Sequence, residues 1–180
     1  MLIIIGPSAS GKTLTAKILE KKYQLKKVVT HTTRPMRKGE VNDIDYHFVD
    51  KATFLKMKEN NQFIETIEYN NNFYGTSKSE ISDNKCVVLD PQGAEAFYNL
   101  HDKRIFIVFF LCSEGTCLQR MISRQDNINS IKERITSDRL AFNNDKQKIA
   151  NVLVSSETDE PEVIADKIYK LYSEYLSSIK

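Results

Sequence analysis

The chain is expected to fold as an α/β domain, a parallel sheet flanked by helices, and three observations lead there. Short apolar runs at residues 2–5, Cys86 to Leu89, Ile105 to Leu111 and Val152 to Val154 are continuous rather than alternating. Strands buried on both faces of a sheet require that pattern. Val28 and Val29 form a weaker fifth run. The first run stops abruptly at Gly6 and gives way to a glycine-bounded turn and then to helical spacing from Lys12 to about Lys22, with Leu14 and Ile18 on one face. At the other end, Pro161 occupies a favoured first helical position, with Thr158 or Asp159 as candidate cap. Ile164, Ile168, Leu171, Tyr172 and Tyr175 then recur at helical spacing, a core-facing stripe.

The turn after the first run reads Gly6-Pro7-Ser8-Ala9-Ser10-Gly11-Lys12-Thr13, the Gly-x-x-x-x-Gly-Lys-Thr pattern of a phosphate-binding P-loop. Its chemistry follows from its residues. Gly6 lets the backbone turn tightly, and Gly11 lets the main chain approach an anion so that successive N–H groups point at it. Lys12 adds a point charge toward the outer phosphates, and the Thr13 hydroxyl can hold Mg²⁺. The following helix aims the positive end of its dipole at the same place. The chain is therefore expected to bind a nucleoside triphosphate, with Thr15 grouped on the same donor side.

Bulk properties narrow the class. A length of 180 residues suits one domain that carries inserted elements. A formal net charge of +2 gives no ground for nucleic acid or a membrane surface as partner. The three cysteines, Cys86, Cys112 and Cys117, have no metal-ligand spacing with the histidines, and reduced thiols in a cytoplasmic protein are expected. The apolar start is too short for a signal peptide, and nothing reaches the length of a membrane span. Oligomeric state is left open.

Two regions depart from the sheet-and-helix pattern. Residues 31–77 are polar and aromatic, with short alternating segments at Tyr46 to Val49 and Phe63 to Tyr69 around a short helix near Thr53 to Glu59. They read as a small mixed α/β insert. Residues 113–146 carry several arginines and little continuous hydrophobicity, as mostly exposed helix would. The expected partition is a core of about 1–30, 78–112 and 147–180, an acceptor-binding insert of about 31–77, and a helical lid of about 113–146. That arrangement suits a phosphotransferase, in which one element holds the acceptor and another closes over the donor.

The insert contains Thr30-His-Thr-Thr-Arg34-Pro-Met-Arg37-Lys-Gly39-Glu40, then Asp45-Tyr46-His-Phe48, Phe63-Ile64-Glu65 and Asn72-Phe73-Tyr74-Gly75-Thr76-Ser77. With the loop at 6–13 and Leu89-Asp90-x-Gln92-Gly93-Ala94, these blocks resemble guanylate kinase in order and separation. The resemblance implies transfer of the γ-phosphoryl of ATP to GMP, with Mg²⁺ as cofactor and ATP and GMP as partners. It also implies that Arg34, Arg37, Tyr46 and Tyr74 bind the GMP phosphate, and that Thr30, Glu65, Thr76 and Asp90 contact the base. The residue chemistry agrees. Two arginines offer planar forks to phosphate oxygens. Carboxylates accept the N1–H and N2–H₂ donors of guanine, and hydroxyls can serve O6.

For the lid, the resemblance implies that Arg120, Arg124 and Arg134 approach the phosphates, Arg120 and Arg124 on the ATP side. Lys12, Arg34, Arg124 and Arg134 form the expected catalytic set. Three departures stand out. Family members usually carry Arg-Gly-Thr where this chain has Arg124-Gln125-Asp126, Arg139 rivals Arg134 for the last lid position, and Val88 replaces an upstream aspartate of the strand before Asp90. Two other readings stay open on the sequence: a diverged kinase for another phosphorylated acceptor, and a catalytically weak interaction module.

Overall fold

Leu2–Ile5 forms strand β1, and all four of its side chains are fully buried. The computed structural model describes residues 1–69, 71–142 and 147–179. Burial on both faces explains the unbroken run. Leu2 and Ile4 join one core cluster, Ile3 and Ile5 join another, and each side chain contributes about 2 kcal/mol of burial. Helix α1 (Lys12–Tyr23) and the C-terminal helix α6 (Pro161–Ser178) cover the first face, while α3 (Pro91–Tyr98) covers the second through Ala94 and Phe97. The sheet is completed by β2 (Lys26–Lys27), β7 (Lys85–Val88), β8 (Phe106–Leu111) and β9 (Val152–Ser155). Its order is β2-β7-β1-β8-β9 and every pairing is parallel.

The loop after β1 emerges between the carboxyl ends of β7 and β8, the crevice where open α/β sheets take ligands. Gly6 is dictated by proximity. A Cβ there would lie 2.7 Å from the Phe110 Cβ and 2.9 Å from its carbonyl oxygen, and φ is +150°.

A second, four-stranded sheet in the order β4-β3-β6-β5 is built from β3 (His31–Thr32), β4 (His47–Phe48), β5 (Phe63–Tyr69) and β6 (Asn72–Ser77). Strands β3 and β4 are parallel, and the other two pairings are antiparallel. Helix α2 (Lys51–Glu59), capped by the Asp50 carboxylate accepting the Thr53 N–H at 2.7 Å, seals this sheet with Phe54. The Phe54 ring stacks on Phe63 at 4.5 Å and Phe73 at 5.5 Å. Buried Glu80, in a short 3₁₀ turn after β6, accepts the Val29 N–H at 2.9 Å and pairs with Lys85. That carboxylate thereby ties the entry and exit of the second sheet to the core.

Helices α4 (Glu114–Ser123) and α5 (Ile128–Ala141) follow β8. They are not simply exposed. Cys117, Met121 and Ile131 form a third small cluster against Ala9 of the phosphate loop.

Three local expectations are corrected. Leu14 is half exposed, and α1 instead buries Thr15 and Leu19, with Ile18 partly buried beside them. The weak fifth strand lies at Lys26–Lys27, although Val28 is buried and donates to the Cys86 carbonyl at 3.3 Å. The α6 cap is Glu160, without a side-chain hydrogen bond; Pro161 follows as expected.

Candidate active site

The phosphate loop carries its backbone in three left-handed or positive-φ positions: Gly6, Ala9 at +60° and Gly11 at +97°. Gly11 also caps α1, so the helix N-terminus opens directly onto the loop. Ser10 is buried, and the buried Thr15 hydroxyl has no hydrogen-bond partner among the described residues. Lys12 folds back onto the loop, its Nζ donating to the Pro7 carbonyl at 2.7 Å and lying 3.5 Å from Ser10 Oγ. Burial pulls its ammonium below the usual lysine range, opposed by the nearby Asp138 carboxylate. Asp138, on α5, accepts the Ser8 N–H at 2.7 Å, taking a main-chain donor of the kind a phosphate oxygen would use.

Ala9 is a non-glycine residue in a conformation that costs an L-residue about 1–2 kcal/mol. Ala9→Gly should relieve that strain and, after the added entropy of the unfolded chain, raise stability by about 0.5 kcal/mol. Equilibrium urea unfolding measures it. A lower midpoint would mean that the Ala9 methyl, packed on the third cluster, outweighs the strain.

Two spaces meet at this loop. One, of about 400 Å³, is lined by Ala9, Gly11, Lys12, Thr13, Arg120 and Arg124. The other, of about 480 Å³, brings Thr13 together with Thr30, Glu65, Thr76 and Val88. Thr13 lies on both. A third hollow of about 330 Å³ runs from Ser10 and Thr15 past Arg120 to Ser156. Leu14 borders the first and third spaces, which is why it is withheld from the core.

In the second space a one-residue irregularity between Phe63 and Glu65 shifts the β5–β6 register and sets Glu65 opposite Thr76. The Thr76 hydroxyl donates to Glu65 Oε1 at 2.7 Å. Gly75 belongs here for space, since a Cβ would press within 3.1 Å of the Glu65 carbonyl and the Phe54 ring. Asp90 does not line this space. It is exposed, and its Oδ1 caps α3 by accepting the Gly93 N–H at 2.7 Å.

Arg34, Tyr46 and Tyr74 converge. The Arg34 guanidinium lies 5.3 Å from the Tyr46 ring centroid, and the two tyrosine rings are 6.2 Å apart. Glu40 grips Arg34 through a two-bond fork at 2.7 and 3.0 Å and accepts the Arg37 N–H at 2.7 Å. The Glu40 carboxyl is accordingly held below the usual carboxylate range, chiefly by Arg34. The Arg37 residue itself is exposed.

On α4 and α5, Arg120 donates to the Ser156 carbonyl at 2.6 Å and to the Ala9 carbonyl at 3.4 Å. Arg124 and Arg134 share Asp126, whereas Arg139 pairs with Glu114 and stays exposed. Of the two candidates for the last lid arginine, Arg134 is thus the one joined to Arg124. Sequence reasoning assigned no role to Glu40, Asp126 or Asp138. A carboxylate within a few residues of each arginine was the available signal for the first two; Asp138 is far from the loop along the chain and gave none.

A family model described as guanylate kinase matches residues 1–170. The chain belongs to the guanylate kinase family. A guanylate kinase of Legionella pneumophila (strain Paris) is 33% identical over 174 residues, covering 86% of this chain and 83% of that one. One from Helicobacter hepaticus is 36% identical over 162 residues, covering 84% and 78%. The crystal structure of guanylate kinase from Anaplasma phagocytophilum shares the fold with a TM-score of 0.62 at 24% identity, covering 97% of this chain and 84% of that one. The chain is accordingly an enzyme of this kind, a nucleotide-binding transferase. No helix among the described residues is long and apolar enough to cross a membrane.

Proposed function

We propose that the chain transfers the γ-phosphoryl of ATP to GMP, and to dGMP, by in-line displacement, with Mg²⁺ accompanying ATP. The observation that carries this is the position of Thr13, on the seam between a space lined by Lys12 and Arg124 and one lined by Glu65 and Thr76. Residues 6–13, Thr15, Arg120 and Arg124 hold the donor. The second sheet serves as the acceptor-binding insert, and α4 with α5 as the lid.

Acceptor recognition follows from the hydrogen-bond inventory. Glu65 accepts from the N1–H and N2–H₂ of guanine. Because the Thr76 proton is committed to Glu65, Thr30 is the donor left for O6. Adenine would set a lone pair against a carboxylate and leave buried polar groups unpaired, at about 1–3 kcal/mol each. The phosphate goes to Arg34, Arg37, Tyr46 and Tyr74. Asp90, held at the start of α3, completes base contact only if its outer oxygen turns to the ring. dGMP is included because none of these side chains addresses a 2′-hydroxyl.

The acceptor phosphate is already ionised near neutral pH, so no general base is needed. Catalysis is then positioning and charge stabilisation by Lys12, Arg34, Arg124 and Arg134. Among the described residues no group of three or more His, Cys, Asp or Glu side chains could cage a metal ion. Thr13 as lone protein ligand suits Mg²⁺, which keeps waters and takes its remaining ligands from the triphosphate. When bound, the ion neutralises charge on the donor phosphates.

Incubation of the pure protein with ATP, Mg²⁺ and GMP should yield ADP and GDP in equal amounts, with AMP turned over at least about 100-fold less efficiently. Absence of GDP at high enzyme concentration would retire the proposal. Efficient use of a phosphorylated acceptor lacking a base would transfer it to the diverged-kinase reading.

A further inference from the structure

Asp126 is the centre of a three-residue charge network on the lid. Arg124 approaches it side-on, with Nε 2.9 Å from both carboxylate oxygens and Nη2 2.6 Å from Oδ2. Arg134, from the neighbouring helix, donates to the same Oδ2 through Nη1 at 3.0 Å. The Asp126 side chain is 19% exposed, whereas the two arginine side chains are 49% and 45% exposed. The carboxylate is therefore the inner member and the guanidiniums face outward.

The turn that carries it is well braced. The Asp126 N–H donates to the Met121 carbonyl at 3.1 Å, and Met121 is fully buried. Asn127 caps the next helix by accepting the Asn129 N–H at 2.9 Å. Arg124 borders the space over Lys12 and Thr13; Arg134 is connected to that space through Asp126. Two guanidiniums brought to one phosphoryl group repel each other, and a carboxylate shared between them offsets the repulsion while fixing their relative orientation. An isolated exposed ion pair would do little, but this one joins two arginines at a fixed turn.

We propose that Asp126 is the positioning residue of the lid, holding Arg124 and Arg134 as a single pair that meets the donor phosphates together. This rests on the donor and acceptor reading above. A carboxylate that merely competes with phosphate for the arginines would act with the opposite sign.

The test compares wild type with Asp126→Asn, Asp126→Ala and Asp126→Glu. Steady-state kinetics with ATP and GMP are combined with calorimetry on adenosine and guanosine joined through five phosphates. Asn and Ala should lower kcat by about tenfold with KM for GMP within about twofold, and Glu should recover a substantial part. Affinity for the joined nucleotide should fall by a similar factor in the Ala variant, with thermal midpoints unchanged. A kcat equal to or above wild type in the Ala variant would overturn the proposal and leave the activity standing. Wild-type protein that neither makes GDP nor binds the joined nucleotide would instead remove the underlying reading, and this proposal with it.

Discussion

Lys12→Ala should lower kcat for transfer from ATP to GMP by about 10³-fold while leaving GMP affinity within about twofold. The ammonium sits largely out of water, where its attraction for phosphate oxygens is much stronger than in bulk solvent. Its present partners, the Pro7 carbonyl and Ser10 hydroxyl, are loop atoms that a neutral residue can leave to solvent or to each other, so the loop itself should survive. The groups proposed to hold the acceptor, around Arg34 and Glu65, have no bond to Lys12 among the described residues and should be unaffected. Rapid-quench measurement of the transfer step, with calorimetry for GMP, separates the two quantities. Equal losses in both would move Lys12 from the donor site to the acceptor site, or show that the loop had collapsed.

The local structure behind that expectation was legible in the sequence wherever its cause was local. β1 announced itself because both faces of the strand are buried, and the phosphate loop because its glycines are imposed by the close approach of Phe110 and by the start of α1. Leu14 was misplaced because α1 has a weak apolar stripe: its buried positions are Thr15 and Leu19, so hydrophobicity alone points one residue off. The meeting of Glu65 with Thr76 depends on a one-residue register shift that no periodicity reveals. Two carboxylates near the phosphate loop were hidden differently. Asp126 reaches Arg134 only after a turn folds two helices together, and Asp138 meets Ser8 across most of the chain. Nearness along the chain marks which carboxylate an arginine can reach, as for Asp126 and Arg124, but not which further partner it will choose.

Arg34 is the residue for which that choice has the largest consequence on the acceptor side. Arg34→Ala should raise KM for GMP by about 100-fold or more, since hydrogen bonds to a charged phosphate contribute roughly 1.5–3 kcal/mol each. The structure adds a second reason. Glu40 is only partly exposed and has its charge matched by the Arg34 fork; without Arg34 an unmatched carboxylate would face the incoming phosphate. Two further results follow from that geometry. Arg34→Lys should recover little, because a point charge cannot reproduce a planar fork that engages Glu40 and lies over the Tyr46 and Phe48 rings at 5.3 and 5.6 Å. The double variant Arg34→Ala with Glu40→Ala should bind GMP several-fold better than Arg34→Ala alone, since the repelling carboxylate is gone. Kinetics on the four proteins form a double-mutant cycle. A KM change of less than about threefold in Arg34→Ala would place the acceptor phosphate elsewhere, and additivity of the two substitutions would show that Glu40 does not act through Arg34.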